Sequence, residues 1–300
     1  MKLRYSAEVA AARRTLKPMV ALETSVLAQG LPMPHNLEAA RRCAAAVREV
    51  GAVPVMMAVI NGQPRAGLEE DDLKVLTEGE GLMKLGSRDL SIAVAFRRTG
   101  GTTVSATCEM ASAAGIAVFA TGGLGGVHRG AEVDFDVSQD LLALARWPVA
   151  VVCAGAKSVL DLPKTMELLE TLGVPVVGVG TDELPGFYTR ETGLRLEHRV
   201  DTAEQGAAII RARRELGQGG VVFALPPPKA TALKRAEVEK HVKAALAVAR
   251  KKRITGKAVT PFLLSELGRR TKGRALKANL ALLEHNASFA AKLALSLGWK

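Results

Sequence analysis

Short apolar runs rich in Val and Ile alternate with helix-period segments along this chain, and this alternation is the strongest constraint on its fold. Val53–Ile60 carries no charged residue and is closed by the turn pair Asn61-Gly62. The runs at 149–153 and 174–179 also lack polar alternation, which is typical of strands covered on both faces. The pattern predicts a layered α/β/α fold with a mixed, largely parallel sheet.

The remaining periodic segments extend the same architecture. Further strands are predicted at 20–22, 116–120 and 220–225. Helices are predicted at 39–50, 88–98, 103–114, 163–172 and 202–216. No internal repeat or clear linker interrupts the chain, so we predict one domain over 1–300. Its helical C-terminal portion starts at about residue 232 and includes a long helix over 275–297.

The formal net charge of +11 suggests three kinds of negatively charged partner: nucleic acid, an anionic membrane surface or a phosphorylated small molecule. The densest basic stretches, 250–253 and 269–277, lie in helix-like sequence and are interpreted as solvated helix faces. Aromatic residues make up 4% of the chain, so stacking platforms for nucleic acid are not expected. No apolar run is long enough to span a bilayer, so no membrane partner is expected.

The cysteine pattern bears on the compartment. The 3 cysteines, Cys43, Cys108 and Cys153, are widely spaced and form no C-x-x-C pair. The sequence therefore offers neither a zinc knuckle nor a redox motif. An odd number of isolated cysteines favours a reducing, cytoplasmic location.

Polar or glycine-rich segments follow four of the predicted strands. They are Glu23-Thr24-Ser25, Thr121-Gly122-Gly123, Ala154-Gly155-Ala156-Lys157 and Gly180-Thr181-Asp182-Glu183. Ligand sites in open α/β sheets lie at the carboxyl ends of the strands. We therefore expect all four segments to converge on one crevice.

Lys157 is the first candidate for chemistry. It follows an apolar strand and two small residues, so its amine is expected in a partly dry site. Desolvation favours the neutral amine, which is a nucleophile toward the C1 of a sugar or a carbonyl carbon. There are two alternatives: Lys157 binds a phosphate, or it is a surface lysine at the start of a helix. The second is less favourable, because a positive charge at a helix start opposes the helix dipole. Position alone leaves catalysis and phosphate binding equally open.

Two carboxylates are further candidates. Glu23 ends the first strand, where a carboxylate has little structural purpose, and it is a candidate acid or base. Asp140 ends the acid-rich stretch 132–140, whose oxygen atoms favour magnesium or manganese. The alternative for Asp140 is a first-turn acid that stabilises a helix dipole after Ser138.

Two glycine-containing segments are candidate anion sites. The glycine-rich loop at 121–132 is neither a dinucleotide motif nor a P-loop, but its backbone can approach a ligand closely, and His128 follows its glycines. Thr102 and Thr103 follow Gly100-Gly101 at a predicted helix start. That position suits an anion site or ordinary helix capping.

Several stretches, in order, resemble the pseudouridine-5′-phosphate glycosidase family, the indigoidine-synthase-A-like proteins. They are ALETSVLAQGLPMPHN, GGTTVSAT, FATGGLGGVHRGAE, VVCAGAKSVLDLPKTMELLETLGVPVVG, TDELPGFYTR, VTPFLLSEL and LKANLALLEHNA. They run from about Ala21 to Ala287, which is nearly the whole chain. One departure concerns Glu23-Thr24-Ser25, where the family commonly has Glu-Ser-Thr.

The resemblance implies a mixed α/β/α sheet, a homotrimer and a divalent metal, usually manganese. It implies reversible cleavage of pseudouridine 5′-phosphate to uracil and ribose 5-phosphate. Lys157 matches the Schiff-base lysine, Glu23 the glutamate that handles protons, and Asp140 the metal-linked aspartate. The positions that match substrate-binding residues are Lys84, Thr102, Thr103, His128 and Asn279. The sequence around Lys84 is looser than the family pattern.

Three other functions remain as alternatives. A phosphosugar aldolase or lyase would use the same lysine on another aldehyde. A basic RNA-binding protein would explain the charge of +11 but not the polar strand ends. A non-catalytic phosphosugar sensor would need no nucleophile at Lys157.

Overall fold

The structure is a computed structural model that describes residues 1–252, 254 and 259–298. The predicted helical pattern and basic stretch at 253 and 255–258 lie outside the described residues. In the described part, no helix is both long and apolar enough to cross a membrane. The single-domain interpretation stays a prediction.

The strands carry the labels β1 to β11 in chain order. They are Arg4–Tyr5, Met19–Leu22, Val53–Ile60, Gln63–Ala66, Met83–Leu85, Gly100–Thr102, Val118–Ala120, Ala150–Cys153, Val176–Val179, His198–Val200 and Val221–Ala224.

The α-helices carry the labels α1 to α12. They are Ala7–Arg14, His35–Val50, Glu70–Glu78, Ser87–Ala95, Val104–Ala114, Ala131–Asp134, Asp140–Arg146, Leu162–Thr171, Ala203–Glu215, Arg235–Lys251, Val259–Arg270 and Arg274–Leu297. A π-helical turn, Val26–Gly30, follows strand β2.

The sheet has the strand order β1-β4-β3-β2-β7-β8-β11-β9-β10, and β5 and β6 pair beside β3. From β3 to β10 along this path every neighbouring pair is parallel. The second half of β3 pairs antiparallel with β4 and β6. The predicted mixed, largely parallel sheet is therefore confirmed.

Helices cover both faces of the sheet, which explains why its central strands lack polar alternation. The long helix α12 packs against α2, α9 and strands β2, β7 and β8. Helix α5 packs against α4 and α7 and contacts β2, β3 and β7. All residues of β2, β7, β8, β9 and β11 are buried. Since parallel connections place helices on the faces, both sides of these strands are removed from water.

Two parts of the observed fold differ from the sequence prediction. Residues 100–102 form strand β6, and α5 starts only at Val104, because Gly100 and Gly101 pair with Val59 and Ala58. The short elements β1, β4, β5, β10, α1 and α3 were not predicted, since most are too short for a periodic pattern to develop. The longer elements lie within a few residues of their predicted positions.

One backbone turn near the end of β8 provides a stability test. Gly155 has φ +83°, and a Cβ there would overlap the carbonyl oxygen of Pro185. Gly173 has φ +68°, and a Cβ there would have no neighbour within 4 Å. Gly173→Ala should therefore cost only the left-handed backbone penalty of about 1–2 kcal/mol. Gly155→Ala should reduce the free energy of unfolding by at least about 3 kcal/mol, because it adds a steric clash.

Urea unfolding of the two variants, followed by circular dichroism, measures the difference directly. Equal losses for Gly155→Ala and Gly173→Ala would contradict the close approach of the Pro185 segment to the end of β8.

Candidate active site

Three of the four polar strand ends meet at the carboxyl edge of the sheet. They enclose an inner pocket of about 50 Å³ lined by Glu23, Ser25, Gly122, Gly123 and Lys157 among others. These residues follow β2, β7 and β8, which are adjacent and parallel. The predicted convergence is therefore observed for these three segments.

An outer pocket of about 560 Å³ adjoins the inner one. Its walls include Thr103, His128 and Asp140. Ser25, Lys84 and Lys157 line both pockets. The two pockets thus form one cleft, with Lys157 between its narrow inner end and its wider outer end.

The backbone around Lys157 is firmly held. Its N–H donates to the Leu124 carbonyl at 3.0 Å, and its own carbonyl accepts from Leu160 at 3.0 Å. Gly155, in the left-handed region, turns the chain out of β8 just before it. Consequently a half-buried lysine is presented to the cleft by a loop with little freedom to move.

The neighbouring thiol does not compete with this amine. Cys153 ends β8 and is fully buried, and burial raises the pKa of its thiol to about 12. Since the thiolate is the reactive form of cysteine, Cys153 is inert near neutral pH. Of these two side chains, Lys157 is therefore the candidate nucleophile that follows β8 into the cleft.

Glu23 accepts hydrogen bonds on both carboxylate oxygens. The Ser25 hydroxyl donates to Oε2 at 2.5 Å, and the Thr121 hydroxyl donates to Oε1. Thr24 is fully buried, and its hydroxyl donates instead to the Met57 carbonyl at 2.5 Å. The carboxylate is thus half-buried and oriented at the inner pocket.

Lys84 reaches the cleft from the short strand β5. It pairs in register with Gly101 of β6, and the end of β6 meets the chain after β2, where the Thr24 N–H donates to the Thr102 carbonyl at 3.3 Å. Thr103 follows β6, lines the outer pocket and makes a 3.1 Å hydroxyl contact with Ser105. A cation and a hydroxyl therefore stand on one side of the outer pocket.

Thr102 is placed differently from the other predicted site residues. Its side chain is fully buried, donates to the Met57 carbonyl at 2.8 Å and accepts from Thr107 at 2.9 Å. It lines neither pocket, because its hydroxyl is bonded to the Met57 carbonyl in the core, whereas Thr103, the residue after β6, lines the outer pocket. Its hydroxyl therefore braces the sheet under the cleft.

Asp140 is the buried carboxylate of the outer pocket, with 4% of its surface exposed. Its oxygens accept from the backbone N–H groups of Ser105 at 3.0 Å and Gly125 at 2.9 Å. Each oxygen keeps a lone pair for another partner. Among the described residues, no group of three or more His, Cys, Asp or Glu side chains could form a metal cluster. This donor set suits a hydrated hard cation held by one carboxylate, and does not suit a zinc-type cage.

His128 lies on the glycine-rich loop, with Nδ1 at 3.8 Å from Asp136 Oδ2. Burial lowers the pKa of its imidazole below the usual 6.5. Asp136 and Asp134 oppose this pKa shift, whereas the positive charges of Lys157 and Lys84 reinforce it. The neutral imidazole is therefore the form that burial favours at neutral pH.

Asn279, on the C-terminal helix α12, lines the inner pocket. It is 7% exposed, and its side-chain amide makes no hydrogen bond to another described residue. Such a buried amide is well placed to pair with the polar edge of a ligand. Phe187 and Gln29 also line this pocket and were not singled out from the sequence, although Phe187 lies within the TDELPGFYTR stretch.

The fourth polar strand end, Gly180 to Glu183, does not reach the cleft. Strand β11 is inserted between β8 and β9, so β9 ends two strands away from Lys157. Instead, the loop that follows returns, and the Phe187 N–H donates to the Ala154 carbonyl at 2.8 Å. The expectation that all four segments converge was therefore wrong for this one.

The fold and the cleft define a class of α/β protein in which a lysine that follows a central strand lines the cleft. Comparison with known families agrees with this class. Residues 8–296 match the family model described as indigoidine synthase A like protein. The chain belongs to that family.

Curated relatives match over almost the full length. A protein of Myxococcus xanthus named pseudouridine-5′-phosphate glycosidase is 64% identical over 99% of this chain and 98% of its own. One of Gemmatimonas aurantiaca with the same name is 52% identical over 93% of this chain and 91% of its own.

Solved structures share the fold. The prealnumycin C-glycosynthase AlnA, in complex with ribulose 5-phosphate, aligns with a TM-score of 0.91 and 36% identity over 98% of this chain and 96% of its own. An indigoidine synthase A-like protein from Thermotoga maritima aligns with a TM-score of 0.89 and 36% identity at the same coverage of both chains.

The lowered pKa of His128 predicts a pH dependence of stability. Because the unfolded chain binds a proton more readily, the contribution is complete above about pH 6.5 and is lost as pH falls toward the folded pKa. His285 contributes in the same direction, since burial also lowers its pKa. His128→Gln should therefore give a shallower fall in Tm between pH 7.5 and 5.5.

Thermal unfolding in a pH series measures this slope, with His285→Gln as the companion variant. Each substitution should remove part of the slope, and the double variant should remove more than either. A full slope in His128→Gln would contradict the unfavourable burial of the charged imidazole.

Proposed function

We propose that this protein cleaves the C-glycosidic bond of pseudouridine 5′-phosphate reversibly, to give uracil and ribose 5-phosphate. The observation that carries the proposal is the cleft in which Lys157, Glu23 and Asn279 meet around the inner pocket. The names of full-length relatives at 64% and 52% identity support the same activity. The pentose phosphate bound to AlnA supports a sugar phosphate as the ligand of such a cleft.

The bond to be broken explains why an amine is needed. An N-glycosidic bond can be cleaved by protonation of a good leaving base, but a C-glycosidic linkage has no heteroatom at that position. A lysine amine that bonds to C1′ provides a nitrogen lone pair that can expel a carbon leaving group. The position of Lys157, which lines both pockets, supports this role for its amine.

The reaction can be written with balanced bonds. The Lys157 amine forms a bond to C1′ while the ring C1′–O4′ bond breaks, and a proton passes from the new ammonium nitrogen to O4′, which leaves a neutral secondary amine with a lone pair. Uracil C5 is then protonated, the nitrogen lone pair forms an iminium, and the C1′–C5 electron pair leaves with uracil. Water adds to the iminium and releases ribose 5-phosphate and the free amine.

Glu23 is proposed as the group that transfers protons in these steps. It lies at the inner pocket with Lys157, and each of its oxygens retains a lone pair beside its hydroxyl partner. Asn279 is proposed to pair with the uracil edge, because its buried amide offers both a donor and an acceptor in the same pocket.

The outer pocket is proposed to hold the 5′-phosphate. Lys84, Thr103 and the His128 loop line it, and they supply a cation, a hydroxyl and backbone N–H groups. Thr102 is proposed to act indirectly, since its hydroxyl braces strand β6, which directly precedes Thr103.

Asp140 is proposed to hold a divalent cation, with manganese as the expected ion. Bound there, the ion would order water and offset negative charge in the outer pocket. The free lone pairs of Asp140 support this assignment, and the two N–H bonds fix the direction of its carboxylate.

A homotrimer and a cytoplasmic location complete the proposal. Val133 and Phe135, next to the outer pocket, are 87% and 86% exposed, which supports burial against another subunit. The described cysteines are all free and buried, which supports a reducing compartment.

The RNA-binding alternative is disfavoured by the pairing of the basic C-terminal side chains. Arg269 and Arg270 both pair with Glu266, and Arg274 pairs with Glu237. This stretch is therefore a mixed-charge helix surface, which provides a weaker field for phosphates than its sequence implies. The aldolase and sensor alternatives use the same cleft, and assays of uracil release and of a covalent adduct distinguish them from our proposal.

The first experiment tests the activity and its metal requirement. Incubation with pseudouridine 5′-phosphate and Mn²⁺ should release free uracil, measured by chromatography. Excess EDTA should reduce turnover at least about 10²-fold, and unphosphorylated pseudouridine should be a much poorer substrate. Full activity in EDTA would refute the metal proposal, and absence of uracil with Mn²⁺ would refute the glycosidase proposal.

The second experiment tests the covalent role of Lys157. Borohydride added with ribose 5-phosphate should trap a reduced adduct on the peptide that contains Lys157, identified by mass spectrometry. Lys157→Ala and Lys157→Arg should both lose at least about 10³-fold in kcat while remaining folded. Alanine has no amine, and the guanidinium of arginine stays protonated and forms no imine.

Lys164→Ala is the matched control for this series. Lys164 is half exposed and pairs with Glu132 and Asp161 away from the two pockets. Its variant should keep near-normal turnover. An adduct on Lys84 or Lys164, or near-normal uracil release by Lys157→Ala, would contradict the proposed mechanism.

A further inference from the structure

We infer that Thr121 and Ser25 are positioning residues that clamp the Glu23 carboxylate, one hydroxyl on each oxygen. The inference rests on the proposed function, in which Glu23 transfers protons. It assigns to two hydroxyls a role in orienting the carboxylate for the reaction.

The sheet register brings the first half of the clamp together. Leu22 of β2 pairs with Ala120 of β7, so the next residues, Glu23 and Thr121, emerge side by side from parallel strands. The Thr121 hydroxyl donates its proton to Glu23 Oε1. This contact joins residues 98 positions apart, and it follows from the strand pairing.

Ser25 supplies the second half. Its hydroxyl donates to Glu23 Oε2 at 2.5 Å and lines both pockets. The adjacent Thr24 hydroxyl is committed to the core, because it donates to the Met57 carbonyl and accepts from the Thr102 N–H at 3.1 Å. Of the two neighbouring hydroxyls, Ser25 therefore serves Glu23 and Thr24 serves the sheet.

Asn286 of α12 holds Thr121 from behind. Its side-chain amide donates to the Thr121 carbonyl at 2.8 Å, and the Thr121 N–H donates to the Val152 carbonyl at 3.0 Å. Asn286 Oδ1 is buried without a partner among the described residues, a situation that usually destabilises a fold. An apolar side chain would avoid that cost but would remove the anchor of Thr121.

The clamp restricts a side chain that would otherwise rotate. With both oxygens held, the carboxylate plane is fixed, and the remaining lone pair on each oxygen is available for proton transfer. Displacement of a catalytic group by about 1 Å can cost about 10²-fold in rate. Loss of either hydroxyl should therefore lower kcat more than it changes KM.

The test compares Thr121→Val, Thr121→Ser and Ser25→Ala in uracil release. Thr121→Val and Ser25→Ala should lower kcat about 10- to 100-fold, with KM within about twofold of the wild type. Thr121→Ser keeps the hydroxyl and should therefore retain most of the wild-type kcat. Thr271→Val is the matched control, because Thr271 is also 1% exposed and its hydroxyl donates to the Leu267 carbonyl at 2.7 Å.

Near-normal kcat in Thr121→Val, or an equal loss in Thr121→Ser or Thr271→Val, would overturn the clamp. A crystal structure of Thr121→Val separates this inference from the proposed function. The Glu23 carboxylate should leave its wild-type orientation there, whether or not the wild type releases uracil. An unchanged carboxylate would overturn the clamp, whereas a wild type without uracil release would refute only the activity.

Discussion

The parallel hydrogen-bonded register of β2, β7 and β8 is the constraint on which the cleft depends. Leu22 pairs with Ala120, and Ala120 pairs with Val152, so the three chains leave the sheet at nearly the same level. Because parallel strands end at one edge, their following residues share a small volume. Glu23, Thr121 and Lys157 come together for this reason, although they are far apart in sequence.

The cleft is closed by backbone packing that tolerates little change. The loop after β9 returns to cover the end of β8, and Phe187 lies over Gly123 while Pro185 approaches Gly155. Side chains larger than hydrogen at these glycines would displace the loop. A rigid arrangement of this kind suits the roles proposed for the Lys157 amine and the Glu23 carboxylate, since groups that act on one bond need fixed positions.

Much of this arrangement was predictable, and the exceptions have physical causes. Apolar runs such as Val53–Ile60 predicted the central strands correctly, and the polar ends of three strands do meet. The segment 180–183 was misplaced because strand order is set by helix packing and crossover connections, and these leave no local sequence signal. Thr102 and Thr103 looked equivalent in sequence, but the Thr102 hydroxyl bonds to the Met57 carbonyl in the core, and only Thr103, the residue after β6, lines the cleft.

The sequence alone determined the layered α/β architecture, because the pattern of apolar residues depends on the period of each element and on its burial. Its motifs also determined the family and the nomination of Lys157, Glu23 and Asp140. Only the tertiary structure decided that Ser25 and Thr121 hold Glu23 while Thr24 joins the core. Those choices depend on strand register and side-chain direction, which arise from long-range pairing that no local segment encodes.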